Sequence, residues 1–212
     1  MSRPISITER ALRNHEELFP DHKSTLKGTD PELIEVFDNF AFDEVIEQSK
    51  LDTKTRVMLI LAATIGSNAV AEFRIMLGAA LNVGVTPIEA KEIVYQSVPY
   101  VGMARAFDFV RATNEVLASR GMPLPLEGQS TTDANTRYDA GLAAQKSIFG
   151  GVIDQMYERS PKDQLHIQRF LSANCFGDYY TRTGLELSVR ELITLAILIA
   201  LGGVESQIRG HI

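Results

Sequence analysis

Apolar residues recur every three or four positions along nearly the whole chain, and no long stretch alternates polar with apolar residues. That spacing gathers the apolar side chains on one face of an α-helix, so the pattern predicts an all-α fold. Helices are expected over Ile7 to Leu18, Pro31 to Ser49, Thr53 to Ile65, Val70 to Leu81, Thr86 to Val98 and Gly102 to Ser119. Boundary residues agree with these spans. Thr86-Pro87-Ile88-Glu89 supplies an N-cap, a proline at the first helical position and a glutamate at the third, which is a capping box. Ser188-Val189-Arg190-Glu191 is another capping box, and Leu81-Asn82-Val83-Gly84 supplies a glycine stop.

The pattern also repeats. Phe40 to Arg56 lies over Asn174 to Arg190 without a gap, so that Phe42 meets Phe176, Leu51 meets Leu185, Asp52 meets Glu186 and Arg56 meets Arg190, each pair 134 positions apart. After a small shift Leu12 aligns with Leu142 and Phe19 with Phe149. A duplicated helical bundle is therefore expected, with a first unit over 1–120, a linker over 121–135 rich in Pro, Gly, Ser and Thr, and a second unit over 136–212. The first unit continues for more than forty residues past Met76, and the second has no such continuation. The second unit is expected to be incomplete at its C-terminus, with a further helical pair omitted or a neighbouring subunit covering the apolar surface.

Composition narrows the function classes. The chain has 212 residues, 45% of them hydrophobic, and a net charge of −6. An acidic balance without a Lys/Arg run argues against nucleic acid or an anionic membrane as the main partner and leaves room for a local arginine pocket binding a small anion. The start, MSRPISITER, has no apolar targeting segment, and the run from Leu192 to Leu201 is far below membrane-spanning length, so a cytoplasmic protein is expected. One cysteine, Cys175, excludes an intrachain disulfide, a CxxC dithiol and a multi-cysteine zinc site.

Arg190-Glu191-Leu192, followed by Leu201-Gly202-Gly203-Val204-Glu205-Ser206-Gln207 and His211-Ile212, resembles the carboxymuconolactone decarboxylase family, which includes the alkylhydroperoxidase-D-like proteins. The stretch from Leu81 to Val110 resembles the second half of that family's unit. The resemblance implies an all-helical, oligomeric protein, a trimer or hexamer, with small pockets formed by a central helix pair. In the peroxidase branch a Glu, a CxxC pair and a His form a thiol relay. Here Glu191 and His211 match the outer members, and Val204 and Gln207 stand at the thiol positions, so a dithiol peroxidase is disfavoured. In the first unit Val57 and Met76 stand where Glu191 and His211 stand in the second, which makes that unit catalytically silent.

The decarboxylase branch implies a cofactor-free, metal-free lyase acting on a small anionic lactone or related acid. His211 and Glu191 are the catalytic candidates, and Gln207, Arg190 and Arg209 the substrate-binding ones. Plainer readings stand beside these. Glu191 also serves as the third residue of its capping box, Arg190 and Arg56 as helix-start ion-pair residues, and His211 as an exposed terminal residue. His15, His22 and His166 read as solvated, and Cys175 as a small core residue. A non-catalytic or ligand-binding oligomeric member is the alternative.

Overall fold

A computed structural model describes residues 6–212, so the first five residues of the expected first unit lie outside the described residues. Helices account for the architecture, and no strand occurs among the described residues. The order is α1 (Glu9–Leu18), a single turn α2 (Leu26–Thr29), α3 (Pro31–Asn39), a π-helical segment (Phe40–Glu44), α4 (Val45–Gln48), α5 (Thr53–Gly66), α6 (Val70–Asn82), α7 (Pro87–Val101) and α8 (Met103–Ser119). Then follow α9 (Arg137–Phe149), α10 (Val152–Arg159), α11 (Leu165–Phe170), a second π-helical segment (Leu171–Tyr180), α12 (Leu187–Leu201) and α13 (Glu205–Gly210).

Local chemistry sets several of these limits. Asp52 caps α5 by accepting from the Thr55 amide at 2.9 Å, and Thr86 with Glu89 forms the expected capping box at the start of α7. Gly84, at φ +87, takes the left-handed conformation that turns the chain out of α6. Two expectations change. The capping box on Ser188 does not form, because α12 begins two residues earlier, behind Glu186, and Glu191 turns to another partner. The helix expected over Pro31 to Ser49 is interrupted by the first π segment, and the stretch matching it in the second half carries the longer π segment. A π turn holds one residue more than an α turn, so it shifts the following side chains around the axis and escapes a 3.6-residue reading.

Each π segment is gripped by an earlier helix through an arginine. Arg10 on α1 pairs with Asp43, and Arg137 on α9 donates to Asp178 at 2.8 Å. Ring geometry is also alike in the two halves. Phe19 meets Phe42 edge-on at 6.3 Å, and Phe149 meets Phe176 edge-on at 5.9 Å.

The centre is the pair α5 and α12, which pack along each other and together against α7. Val57, Leu61 and Ile65 on α5 share one core with Ile193 and Ile197 on α12 and Ile93 on α7. Burying side chains of this size contributes about 1.5–3 kcal/mol each. At the crossing, Gly66 sits so close that a β-carbon there would stand 2.5 Å from the Ile197 carbonyl oxygen and 2.8 Å from the Ala200 methyl. Gly66 and Ala200 are themselves 134 positions apart. The stretch between α8 and α9 is pinned to the second half, with Thr131 and Thr132 donating to the Thr181 and Gly177 carbonyls at 2.8 Å each.

The crossing of α9 with the second π segment is tighter still. A β-carbon on Gly141 would stand 2.0 Å from the Ser172 carbonyl oxygen and 2.5 Å from the Gly177 nitrogen, with backbone on both sides unable to give way. Gly141→Ala should therefore cost at least about 2–3 kcal/mol in urea unfolding, whereas Gly151→Ala, which meets nothing within 4 Å, should stay within about 0.5 kcal/mol. Equal costs would contradict this packing.

Candidate functional site

The first turn of α12 points its neighbouring side chains in different directions, because successive residues on a helix lie about 100° apart. Arg190 faces α7 and Glu191 faces the C-terminal end of α13. There His211 Nδ1 lies 2.7 Å from Glu191 Oε2, and the His211 side chain is only 9% exposed. His211 is therefore a sheltered residue, not a solvated terminal one. Its imidazole meets the edges of Phe149 at 5.6 Å and Tyr100 at 6.2 Å. Glu191 Oε1 is buried with no hydrogen-bond partner among the described residues.

A buried polar chain runs behind this pair. Glu92 on α7, 1% exposed, holds Arg190, also 1% exposed, at 3.0 Å, and takes a two-pronged contact from Arg182 at 2.9–3.1 Å. Arg190 also donates to Gln96 at 3.2 Å and to the Arg182 and Thr183 carbonyls at 2.8 and 2.9 Å. Gln96 donates to Thr194 at 3.1 Å. Thr194 shares a hydrogen bond with Tyr180 at 3.0 Å, and Tyr180 with Tyr100 at 2.9 Å. The Cys175 thiol reaches toward the Tyr100 hydroxyl at 3.9 Å. The chain thus runs from Glu92 on α7 through α12 and the π segment to the floor of the Glu191–His211 pair.

Electrostatics keep this floor neutral. Burial drives the Tyr100 phenol well above its ordinary value. Tyr180 moves the same way through burial and then through the nearby Glu191 charge. Burial also pushes the Cys175 thiol up to about 12. A thiolate nucleophile is thereby disfavoured, since the reactive form of a cysteine is the anion. Burial lowers Arg190 while its bond to Glu92 raises it.

The five candidates from the sequence separate. Glu191 and His211 are brought together. Arg190 is committed to Glu92, Gln96 and two carbonyls, so it holds the scaffold and is not free to bind substrate. Gln207 and Arg209 are exposed, and Gln207 accepts from Ser206 at 2.7 Å. Gln207 lies on α13, which ends at Gly210, and His211 lies beyond that end, so the two do not share a helix face. His15 is half-buried between Phe19 and Phe42, not solvated, and burial lowers its pKa. Sequence reasoning missed Glu92, Gln96 and Tyr100. Their spacing of four puts three polar side chains in line along one helix face, and that was the available signal.

Two clefts border the network. One, of about 350 Å³, is lined by Lys91, Glu92, Tyr95, Leu124, Pro125 and Arg182 among others. Arg182 lies over the Tyr95 ring at 5.1 Å. Lys91 donates to Asn114, and burial lowers its pKa. A second cleft, of about 680 Å³, opens beside Lys54, Glu89 and Arg182. No group of three or more His, Cys, Asp or Glu that would hold a metal ion occurs among the described residues. No helix there is long and apolar enough to cross a membrane.

The alkaline limb of stability follows from these shifts. The folded state keeps the Cys175 proton up to about 12, while a thiol in the unfolded chain, ordinarily at 9.0, releases it earlier. Rising pH therefore favours the unfolded chain, beginning near pH 9, at about 1.4 kcal/mol per pH unit. Tyr100 and Tyr180 add the same sign from about pH 10. Thermal unfolding between pH 9 and 10 should show a shallower loss of stability in Cys175→Ala than in the parent protein. Identical slopes would contradict the assignment.

Residues 31–115 match the sequence model of the carboxymuconolactone decarboxylase family. A 4-carboxymuconolactone decarboxylase of Acinetobacter baylyi is 31% identical over 77 residues, covering 36% of this chain and 57% of the relative. The chain thus matches little more than half the length of that protein. The matched segment spans α3 to α8 and contains Glu92, Gln96 and Tyr100, while Glu191 and His211 lie outside it. Over residues 31–115 the chain is thus similar to the carboxymuconolactone decarboxylase family.

Proposed function

We propose that the chain is a cofactor-free carboxy-lyase acting on a small anionic lactone or related acid, with Glu191 and His211 as its chemical centre. The observation that carries this reading is their 2.7 Å contact in a sheltered, aromatic-walled position. In such a reaction the bond to the carboxylate carbon breaks, CO2 leaves, and the electron pair delocalises into the unsaturated lactone carbonyl as an enolate. A proton must then return to carbon. With Nδ1 engaged by Glu191, Nε2 of a protonated His211 is the atom available to deliver it, and the carboxylate orients the ring and stabilises its charge.

The reading also takes the chain as two family-like units, of which the second supplies the chemistry, working as a cytoplasmic homo-oligomer. The ring pairs Phe19–Phe42 and Phe149–Phe176 and the contact of Gly66 with Ala200 support the duplication. A second reading, a ligand-binding member without turnover, is favoured by one observation. One wall of the cleft, with Lys91, Glu92, Tyr95 and Asn114, comes from the segment that matches the family, and neither Glu191 nor His211 lines it.

Lactone-dependent CO2 release, measured beside peroxide reduction, distinguishes the readings. Decarboxylation without added metal or cofactor is expected, with no peroxide turnover. Glu191→Gln and His211→Ala should each lower kcat by about 10²-fold or more while helicity is kept. Full turnover in both variants would remove the roles assigned to them, and lactone binding without CO2 release would favour the second reading.

A further inference from the structure

Two helical faces carry apolar stripes that nothing among the described residues covers. On α3 and the π segment after it, Leu33, Val36, Phe37 and Phe40 are each more than half exposed. Their spacing puts them on one face of the rod. On α11 and the start of the second π segment, Ile167 and Phe170 are more than half exposed and Leu171 more than a third. Ile167, Phe170 and Leu171 stand 134 positions after Leu33, Val36 and Phe37, so the two stripes have the same spacing. Scattered exposed apolar residues are ordinary on a soluble protein, but two matched rows of bulky side chains are not.

The flanks of the stripes differ in sign. Beside the first lie the exposed carboxylates of Glu32, Glu44 and Glu47. Glu47 is engaged by Arg10 at 2.8 Å. Beside the second lie Lys162, His166 and Arg169, all exposed, with one acid, Asp163. His166 stands at the position matching Glu32. Packing either stripe on its own kind would set like charges face to face, which is unfavourable, whereas packing the first on the second sets acids against bases and buries both apolar rows.

We infer that the α3 stripe of one copy docks on the α11 stripe of a second copy, head to tail. This rests on the homo-oligomer part of the proposed function and not on the decarboxylase chemistry. Because the two docking surfaces differ, the contact is heterologous, and each copy has one surface of each kind to offer. Where the rotation between successive copies closes, they form a ring in which every stripe is covered.

Light-scattering mass measurement on mixed variants tests the arrangement. The parent protein should run as an oligomer of the 23.4 kDa chain. Val36→Glu spoils the first surface and Phe170→Glu the second, so each variant alone should be monomeric, with its helicity confirmed by circular dichroism. An equal mixture should return a dimer of one chain of each kind, since each variant retains the surface that the other lacks. Monomers persisting in the mixture, or either variant remaining oligomeric alone, would overturn the head-to-tail contact while leaving a homo-oligomer possible by another surface. A monomeric parent protein would overturn both. If either variant unfolds, charge reversal gives the same information. Glu32→Lys with Glu44→Lys, or Lys162→Glu with Arg169→Glu, should each weaken association, and the four together should restore it. Weakening that persists in the combined variant would contradict the charge pairing.

Discussion

The structure depends on one buried ion pair. Arg190 and Glu92 are each 1% exposed and 3.0 Å apart, joining residues 98 positions distant in sequence. Withdrawing two charges from water is costly, and the attraction between them offsets that cost only where the remaining donors and acceptors are also satisfied. Here Gln96 and two backbone carbonyls take up guanidinium hydrogens, and Arg182 shares the carboxylate. Only Arg190 Nε lacks a partner among the described residues. The pair thereby fixes the register of α12 on α7 more specifically than apolar contact would, because a slide of one turn would strand a charge in the core.

That register reaches the chemistry through neighbouring positions. Once Arg190 is locked toward α7, Glu191 has one direction left, toward His211. Four residues after Arg190, Thr194 receives the Gln96 amide and joins the two phenols beneath the pair. These phenols remain protonated at any ordinary pH, so they impose no charge of their own on the carboxylate and imidazole above them. Glu191 is thus held on a helix whose position against α7 is set by a contact that takes no part in the proposed reaction.

Much of the fold was legible in the sequence because its causes are local. Helical period, the Thr86 cap and the Gly84 stop depend on neighbours within a turn or two, and they predicted α5 to α8 closely. The π segments were not legible, since their extra residue answers to packing by α1 and α9 from outside the segment. The site was half legible. Glu191 and His211 emerged from their motif, but Arg190 was misassigned because its partner lies on a distant helix. Gln207 is exposed on α13, which ends before His211, and that break at Gly210 has no mark in the helical period. Glu92 was passed over for the same reason as Arg190, since neither has a partner nearby in sequence that would mark it.

A double-mutant cycle at Glu92 and Arg190, read by urea unfolding, tests the central claim most directly. Glu92→Gln and Arg190→Gln should each cost about 3 kcal/mol by leaving a charge buried without its counterpart. The double variant should cost less than the sum of the two by at least about 1.5 kcal/mol. Additive losses would show that the pair does not join α7 to α12.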